Sequence, residues 1–342
     1  MLEENRISGS ASIPELGESP SKDPRRGIAM DPRPTMPTTT PIAPNRLKAV
    51  LLLGGTLRQS DLSIGAERPL IELPVADGLD VMGVWCKHVS ATAERFGLPS
   101  LPIRVIIDRT SLVPRRPRTT SRTSVTIETD FAEIRGTAGI IRDLSRDYAP
   151  DDYLLVASGN QLLIDELAPV VGDLLATEAD IALLAHDDGM PVGLYLIRAG
   201  AVRSLKERGY LDLKEQALPL LSKSHRVRVV RRPHGVGLPI RTLENYIYAL
   251  EEWCHARDGK PRADYANLEQ WERAFGLIES EAIVEKSAKL HDAVVLRGGR
   301  VEAGALVIRS VVCPGGKVGP GETVLGTVVH GLSGGSRSGG RA

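Results

Sequence analysis

The sequence predicts an α/β sheet with helices on both faces, followed by a short β-helix. Two observations carry that reading. From Asn45 to Arg257 apolar β-type runs alternate with amphipathic stretches, and from Ile278 onward the apolar positions recur six residues apart. Alternation of the first kind builds layered α/β sheets, and a six-residue period describes one side of a triangular β-helix coil.

The first run, Leu47 to Leu53 (LKAVLLL), is continuously apolar and ends at Gly54 and Gly55, the pattern of a strand buried on both faces. Further strands are predicted at Ile103–Ile107, Tyr153–Ala157, Ile181–Ala185, Gly193–Ile197 and Val227–Val230. Helical patterns fall between them, at Asp80–Phe96, Ala138–Arg146, Gln161–Thr177, Ala201–Arg208 and Thr242–Arg257, with Thr242 as N-cap of the last. Trp85, Trp253 and Trp271 read as core anchors on helices.

In the C-terminal part Ile278, Val284, Leu290 and Leu296 fall at the hexad spacing. After a five-residue step it resumes with Val301, Val307 and Cys313, and after another with Val318 and Val324. Neither the helical nor the simple strand period fits these positions, and turn-rich GG, PGG and GPG lie between them. Two or three coils fit. So short a β-helix leaves unpaired edges that need cover, by self-association or by docking onto its own α/β domain. The expected layout is a disordered leader at 1–44, holding eight of the 23 prolines, then an α/β domain at 45–260, a connecting segment at 261–277, the β-helix at 278–329 and a flexible Gly/Ser tail at 330–342.

Composition excludes several classes of function. With 43 basic and 43 acidic residues the 342-residue chain is neutral, so neither nucleic acid nor an anionic membrane is indicated as a partner. The basic run Pro114 to Arg122 lacks interleaved aromatics and reads as a solvated loop. Cys86, Cys254 and Cys313 are too dispersed for a zinc site or a disulfide framework, which fits a reducing, cytoplasmic setting. No apolar run approaches the roughly 18 residues of a membrane helix.

The order of motifs resembles the sugar-1-phosphate nucleotidyltransferases, or NDP-sugar pyrophosphorylases, most closely the mannose-1-phosphate guanylyltransferase-like members with a C-terminal left-handed β-helix. The resemblance rests on LKAVLLLGG (47–55), ERPLIELPV (67–75), GTAG (136–139), DDYLLVASGN (151–160), VGLYLIR (192–198), LPIRTLENY (238–246) and SVVCPGGKVGPG (310–321). It implies a nucleotide-diphospho-sugar transferase-like mixed sheet. It also implies a reaction in which a sugar 1-phosphate oxygen attacks the α-phosphate of a nucleotide and pyrophosphate leaves, with charge neutralisation as most of the catalysis.

Carried onto this chain, the resemblance makes Gly54, Gly55 and Thr56 the start of a phosphate-cradling loop. Arg58 and Arg68 become candidate catalytic cations, the second replacing the lysine of the family's Lys-Pro. Gly136, Thr137, Ala138 and Gly139 become a nucleobase-facing turn, and Gly193 a backbone contact to the sugar. The family holds Mg²⁺ with an Asp in a Gly-Asp pair and another in a Leu-Asp-Ile-Gly-Thr segment. Here those places read Asn160 and Pro239, so both anionic ligands are lost. A stretch of about 40 residues that grips the sugar through Glu and Lys is also missing after His186. The reading that follows is a catalytically degenerate homologue that binds a nucleotide or sugar nucleotide, self-associates or partners an active paralogue, and needs no cofactor. The alternative is an active enzyme, dependent on Mg²⁺, with a substitute carboxylate among Asp151, Asp152, Asp187 and Asp188. His291 and His330 suit a third class, acyl transfer on a β-helix, for which two or three coils are too few.

Overall fold

The structure, a computed structural model, describes residues 41–54, 60–115, 120–130, 135–206, 209–259 and 275–331. Nearly all of the leader and the tail, Gly55, Thr56 and Arg58, part of the basic run, most of the connecting segment and Trp271 lie outside the described residues.

The α/β part runs β1 (Leu47–Leu53), α1 (Asp61–Ala66), the small β2 (Pro74–Ala76) and β3 (Leu79–Asp80), α2 (Val81–Arg95), β4 (Ile103–Asp108), β5 (Val125–Asp130) and α3 (Gly136–Leu144). It continues with β6 (Tyr153–Ser158), β7 (Gln161–Leu163), α4 (Leu167–Ala176), β8 (Ile181–His186), β9 (Pro191–Arg198), α5 (Ala199–Val202), α6 (Leu218–Leu221), β10 (Val227–Arg232), β11 (Gly237–Pro239) and α7 (Leu243–Arg257). Seven strands form one mixed sheet in the order β10-β8-β9-β6-β1-β4-β5. Only β9 runs antiparallel to its neighbours. Residues of β1 alternate between two cores, Val50 and Leu52 facing one helical layer with α2, α4 and α7, and Ala49 and Leu51 facing another with α3 and α5. That is why the run reads as unbroken hydrophobicity: both faces are covered.

The chain leaves β1 for β4 on one side and returns as β6 on the other. Strand order therefore reverses at β1, and in open α/β sheets such a reversal opens a crevice at the carboxyl ends of the strands.

Several elements differ from expectation, and three of them bear on the sheet and its edges. The predicted helix at Gln161–Thr177 begins as β7, because Gln161–Leu163 pairs antiparallel with Gly237–Pro239, and the helix starts only at Leu167. The helix expected at Ala201–Arg208 is the short α5 (Ala199–Val202). The edge strand β5, only half-buried, has no counterpart in the sequence reading. By contrast Thr242 caps α7 as expected, its hydroxyl accepting from the Asn245 N–H at 3.2 Å.

The C-terminal β-helix comprises β12 (Gly276–Ile278), β13 (Ile283–Val284), β14 (Lys289–His291), β15 (Ala293–Val295), β16 (Arg300–Val301), β17 (Leu306–Ile308), β18 (Val311–Val312), β19 (Lys317–Val318), β20 (Thr323–Leu325) and β21 (Val328–Val329). It forms three parallel sheets, β12-β15-β18-β21, β13-β16-β19 and β14-β17-β20. Each residue pairs with the one 17 positions on, as Val294 does with Val311 and Val301 with Val318. Two hexads and a five-residue side make one coil. Leu290, Val301, Val307 and Val318 are buried inside, with Val284 and Val324 packed against them. On the five-residue side the interior positions are Val295 and Val312, while Leu296 and Cys313 belong to the main core with Val294 and Val311. Ile278 pairs with Val295 but is 45% exposed, because the first coil has no layer above it.

The β-helix and the α/β part belong to one compact unit. Besides the apolar seam, Arg68 and Glu279 form a two-pronged ion pair, with Nη1 to Oε1 at 2.7 Å and Nη2 to Oε2 at 2.9 Å. Arg309 reaches Glu251 of α7. Of the two covers expected for the β-helix, the one observed is its own α/β domain. Truncating an interior valine removes two methyl groups and leaves a void, so Val307→Ala should cost about 2 kcal/mol in urea denaturation, whereas exposed Ile283→Ala should stay within about 0.5 kcal/mol.

Candidate nucleotide site

At the carboxyl ends of β1 and β6, where the reversal of strand order makes a ligand crevice expected, stand glycines and one amide. Gly54 follows β1 and its N–H donates to the Ile106 carbonyl at 2.8 Å; Gly159 follows β6 and its N–H donates to the Leu53 carbonyl at 2.9 Å. A Cβ at Gly159 would lie 3.2 Å from the Gly54 Cα, so the two turns meet backbone to backbone. Asn160 comes next. Its N–H donates to Ser158 Oγ at 3.3 Å, and its carbonyl accepts from the Ile240 N–H at 3.1 Å.

The β7–β11 ladder sets Pro239 opposite Gln161. It thereby brings together Asn160 and Pro239, two positions 79 residues apart in the chain. Gln161 fastens the arrangement: its carbonyl accepts from Trp85 Nε1 at 3.0 Å, and its Nε2 donates to the Val192 carbonyl at 3.0 Å. Gly193 adjoins it with φ at +81°, a left-handed conformation that favours glycine, and a Cβ there would stand 3.4 Å from Gln161 Nε2. Gly54, Gly159, Asn160, Gln161, Gly193 and Pro239 thus share one edge of the sheet. The apolar pattern of 161–177 assigns Gln161 to a helix and hides its role; its place directly after a strand-terminating Gly-Asn is the signal that marks it.

Asn160 is 3% exposed and its Nδ2 is buried with no hydrogen-bond partner. Asparagine offers a divalent cation only a neutral carbonyl oxygen, and Pro239 offers no side-chain ligand. Mg²⁺ does not fit this donor set. No group of three or more His, Cys, Asp or Glu among the described residues could hold a metal ion. The substitute carboxylates do not repair this. Asp151 and Asp152 precede β6 at its opposite end, Asp152 accepting from the Ala149 N–H at 2.9 Å and Asp151 lying 3.5 Å from Arg198. Asp187 and Asp188 are exposed in the turn that alone joins β8 to β9, where Asp188 accepts from the Met190 N–H at 2.8 Å. After His186 the chain turns directly into β9 in a tight hairpin.

Two expected contacts are differently employed. Both terminal nitrogens of Arg68 are taken by Glu279, so this guanidinium joins the α/β part to the β-helix instead of standing free for a phosphate. At Gly136, φ is +68°, and the side left open by the absent Cβ is filled by the Leu211 backbone. The Leu211 carbonyl accepts from the Ala138 N–H at 3.0 Å, and Thr137 Oγ1 accepts from the Leu213 N–H at 2.9 Å. On the Gly136 side this turn packs against the chain itself. Tyr195, on the same face of the sheet, is buried with no partner for its hydroxyl, and burial pushes its phenol well above the ordinary range.

Neither a family model nor a curated protein matches the sequence. Among solved structures, HddC from Yersinia pseudotuberculosis is 15% identical over 60% of this chain and 100% of its own, with a TM-score of 0.44. A homolog of Mycobacterium tuberculosis rv0371c from Mycobacterium sp. strain JC1 is 19% identical over 60% of this chain and 96% of its own, at 0.41. A putative glucose-1-phosphate thymidylyltransferase from Bacillus anthracis is 15% identical over 62% and 96%, at 0.43. These are loose likenesses, and the fold stands on its own strand order and register.

Because Glu279 also accepts from the Arg297 N–H at 2.8 Å, losing Arg68 leaves it partly satisfied. Arg68→Met should therefore destabilise the protein by about 1–3 kcal/mol in chemical denaturation, and leave any nucleotide-induced rise in Tm unchanged.

Proposed function

We propose that the protein is a sugar-1-phosphate nucleotidyltransferase homologue that binds a nucleotide or sugar nucleotide at the carboxyl-end crevice of its sheet and does not catalyse the metal-dependent transfer. The observation that carries this reading is the β7–β11 ladder, which places Asn160 and Pro239 together at the crevice. In the family that the motif order resembles, those positions hold the two carboxylates for Mg²⁺. The reaction separates a triphosphate and builds charge on the departing pyrophosphate, so its rate depends on fixed positive charge around the phosphates. Here neither carboxylate exists to fix a cation, Arg68 is committed to Glu279, and the tight β8–β9 turn leaves no sugar-gripping segment at that point.

Binding does not require the same groups. Backbone groups at the carboxyl ends of β1 and β6, where strand order reverses, are the place at which open α/β sheets take ligands, and glycines at 54, 159 and 193 let those turns pack closely there. The active alternative gains nothing from Asp151, Asp152, Asp187 or Asp188, which are placed at the far end of β6 or in an exposed turn.

The test pairs thermal shift with a pyrophosphate-release assay across nucleoside triphosphates and sugar 1-phosphates. The expected result is nucleotide-dependent protection with no pyrophosphate above background. Loss of one preorganised charge stabiliser commonly costs about 10² to 10³ in rate, so loss of two on one ion should leave nothing measurable. Mg²⁺-dependent turnover by the unaltered protein would refute this reading.

A further inference from the structure

We propose that Asn160 is a metal-free phosphate-recognition residue, its buried side-chain amide donating to a phosphate oxygen of the bound nucleotide. The proposal rests on the reading of the crevice as a nucleotide site and specifies how that site holds its ligand.

The starting observation is an unmet donor. Asn160 Nδ2 is buried without a hydrogen-bond partner in a residue that is 3% exposed. Buried amides in folded proteins are nearly always satisfied, because leaving one unmade sacrifices its hydration for nothing. The neighbours do not help: the Gln161 amide is turned to the Val192 carbonyl, and Pro239 brings no acceptor side chain. The backbone is pinned on both sides, through Ser158 Oγ and the Ile240 N–H, so the amide is held in place at a cost to folding. An uncompensated group at the strand-order reversal, where α/β sheets gather ligands, is what a binding function leaves behind.

The chemistry of the group names the ligand atom. An amide NH₂ donates two hydrogen bonds and carries no charge, so it opposes a cation and suits an anionic oxygen. Bonds from a neutral donor to an ionised acceptor are stronger than neutral pairs. Where a carboxylate would repel phosphate until a divalent ion bridged the two, asparagine meets the phosphate oxygen directly. The same substitution that removes the metal therefore supplies a donor in its place, and binding becomes independent of Mg²⁺.

The experiment measures binding of ATP, GTP, CTP and UTP, with inorganic pyrophosphate as a phosphate-only probe, by calorimetry and thermal shift in EDTA and in Mg²⁺. The full chain is compared with Asn160→Leu and Asn160→Asp. Wild-type affinity should change less than about threefold between EDTA and Mg²⁺. Asn160→Leu should unfold, without ligand, at the wild-type temperature or above, since it removes an unmet donor, yet bind about 10- to 100-fold more weakly. Asn160→Asp should bind poorly in EDTA and recover on adding Mg²⁺. If Asn160→Asp does not fold, the leucine variant decides. A lowered unfolding temperature with unchanged affinity for Asn160→Leu would make the amide structural and overturn the proposal. If the wild type binds and both variants match it, this proposal alone fails; if no probe binds the wild type, the reading of the crevice fails and takes the proposal with it.

Discussion

The ladder between β7 and β11 is three residues long, and the chemistry of the crevice depends on it. Side chains in a strand alternate between faces, so a slip of one residue would turn Gln161 away from Val192 and move Pro239 out of line with it. Several groups hold the register: Trp85 clamps the Gln161 carbonyl, the Ile240 N–H reaches the Asn160 carbonyl, and buried Leu162 and Leu163 anchor the strand in the main core. Proline is tolerated in β11 because the strand belongs to a two-stranded ribbon with an open edge, where a missing N–H need not break a ladder bond. The ladder's geometry thus fixes where Asn160 and Pro239 stand without depending on the chemistry of either side chain.

The β-helix contributes to the same framework from the other side. Val294, Leu296, Val311 and Cys313 merge into the core beneath α7, and burial pushes the Cys313 thiol up to about 12, which keeps it an inert apolar group. Tyr246 of α7 is fully buried and donates its hydroxyl to the Pro74 carbonyl, tying the helix that follows β11 to the segment around Arg68. With Arg68 held by Glu279, a cation that could have served phosphate chemistry is spent on the seam between the two parts of the fold.

Much of the architecture was legible because burial on both faces writes strands as unbroken apolar runs, and because a β-helix repeats its interior positions at fixed spacing. β1, β6 and the stacked pairs Leu290 with Val307 and Val301 with Val318 are of this kind. The failures have equally physical causes. β5 reads VTIETD, its polar residues engaged by Arg104 and Arg135, so it lacks the apolar signature of a central strand. Gln161–Leu163 continues the apolar pattern of α4 and becomes a strand only through a partner 76 residues away. Leu296 and Cys313 stand one place beyond the interior positions because the third side of each coil has five residues, a phase that a hexad count does not register. At the site, Asn160 and Pro239 could be picked out in the sequence from the motif order alone. That Asn160 keeps an unmet donor, and that Gly136 is small to admit Leu211, are consequences of packing that no local pattern encodes.

The central claim is that the crevice meets a phosphate with a protein amide and not with a protein-held cation. A crystal of the full chain grown with a nucleoside triphosphate and Mn²⁺, read by anomalous scattering, tests it most directly. The account predicts a phosphate oxygen within hydrogen-bond distance of Asn160 Nδ2, with no manganese ligated by a protein carboxylate. An anomalous peak coordinated by protein carboxylates beside the phosphates would contradict it.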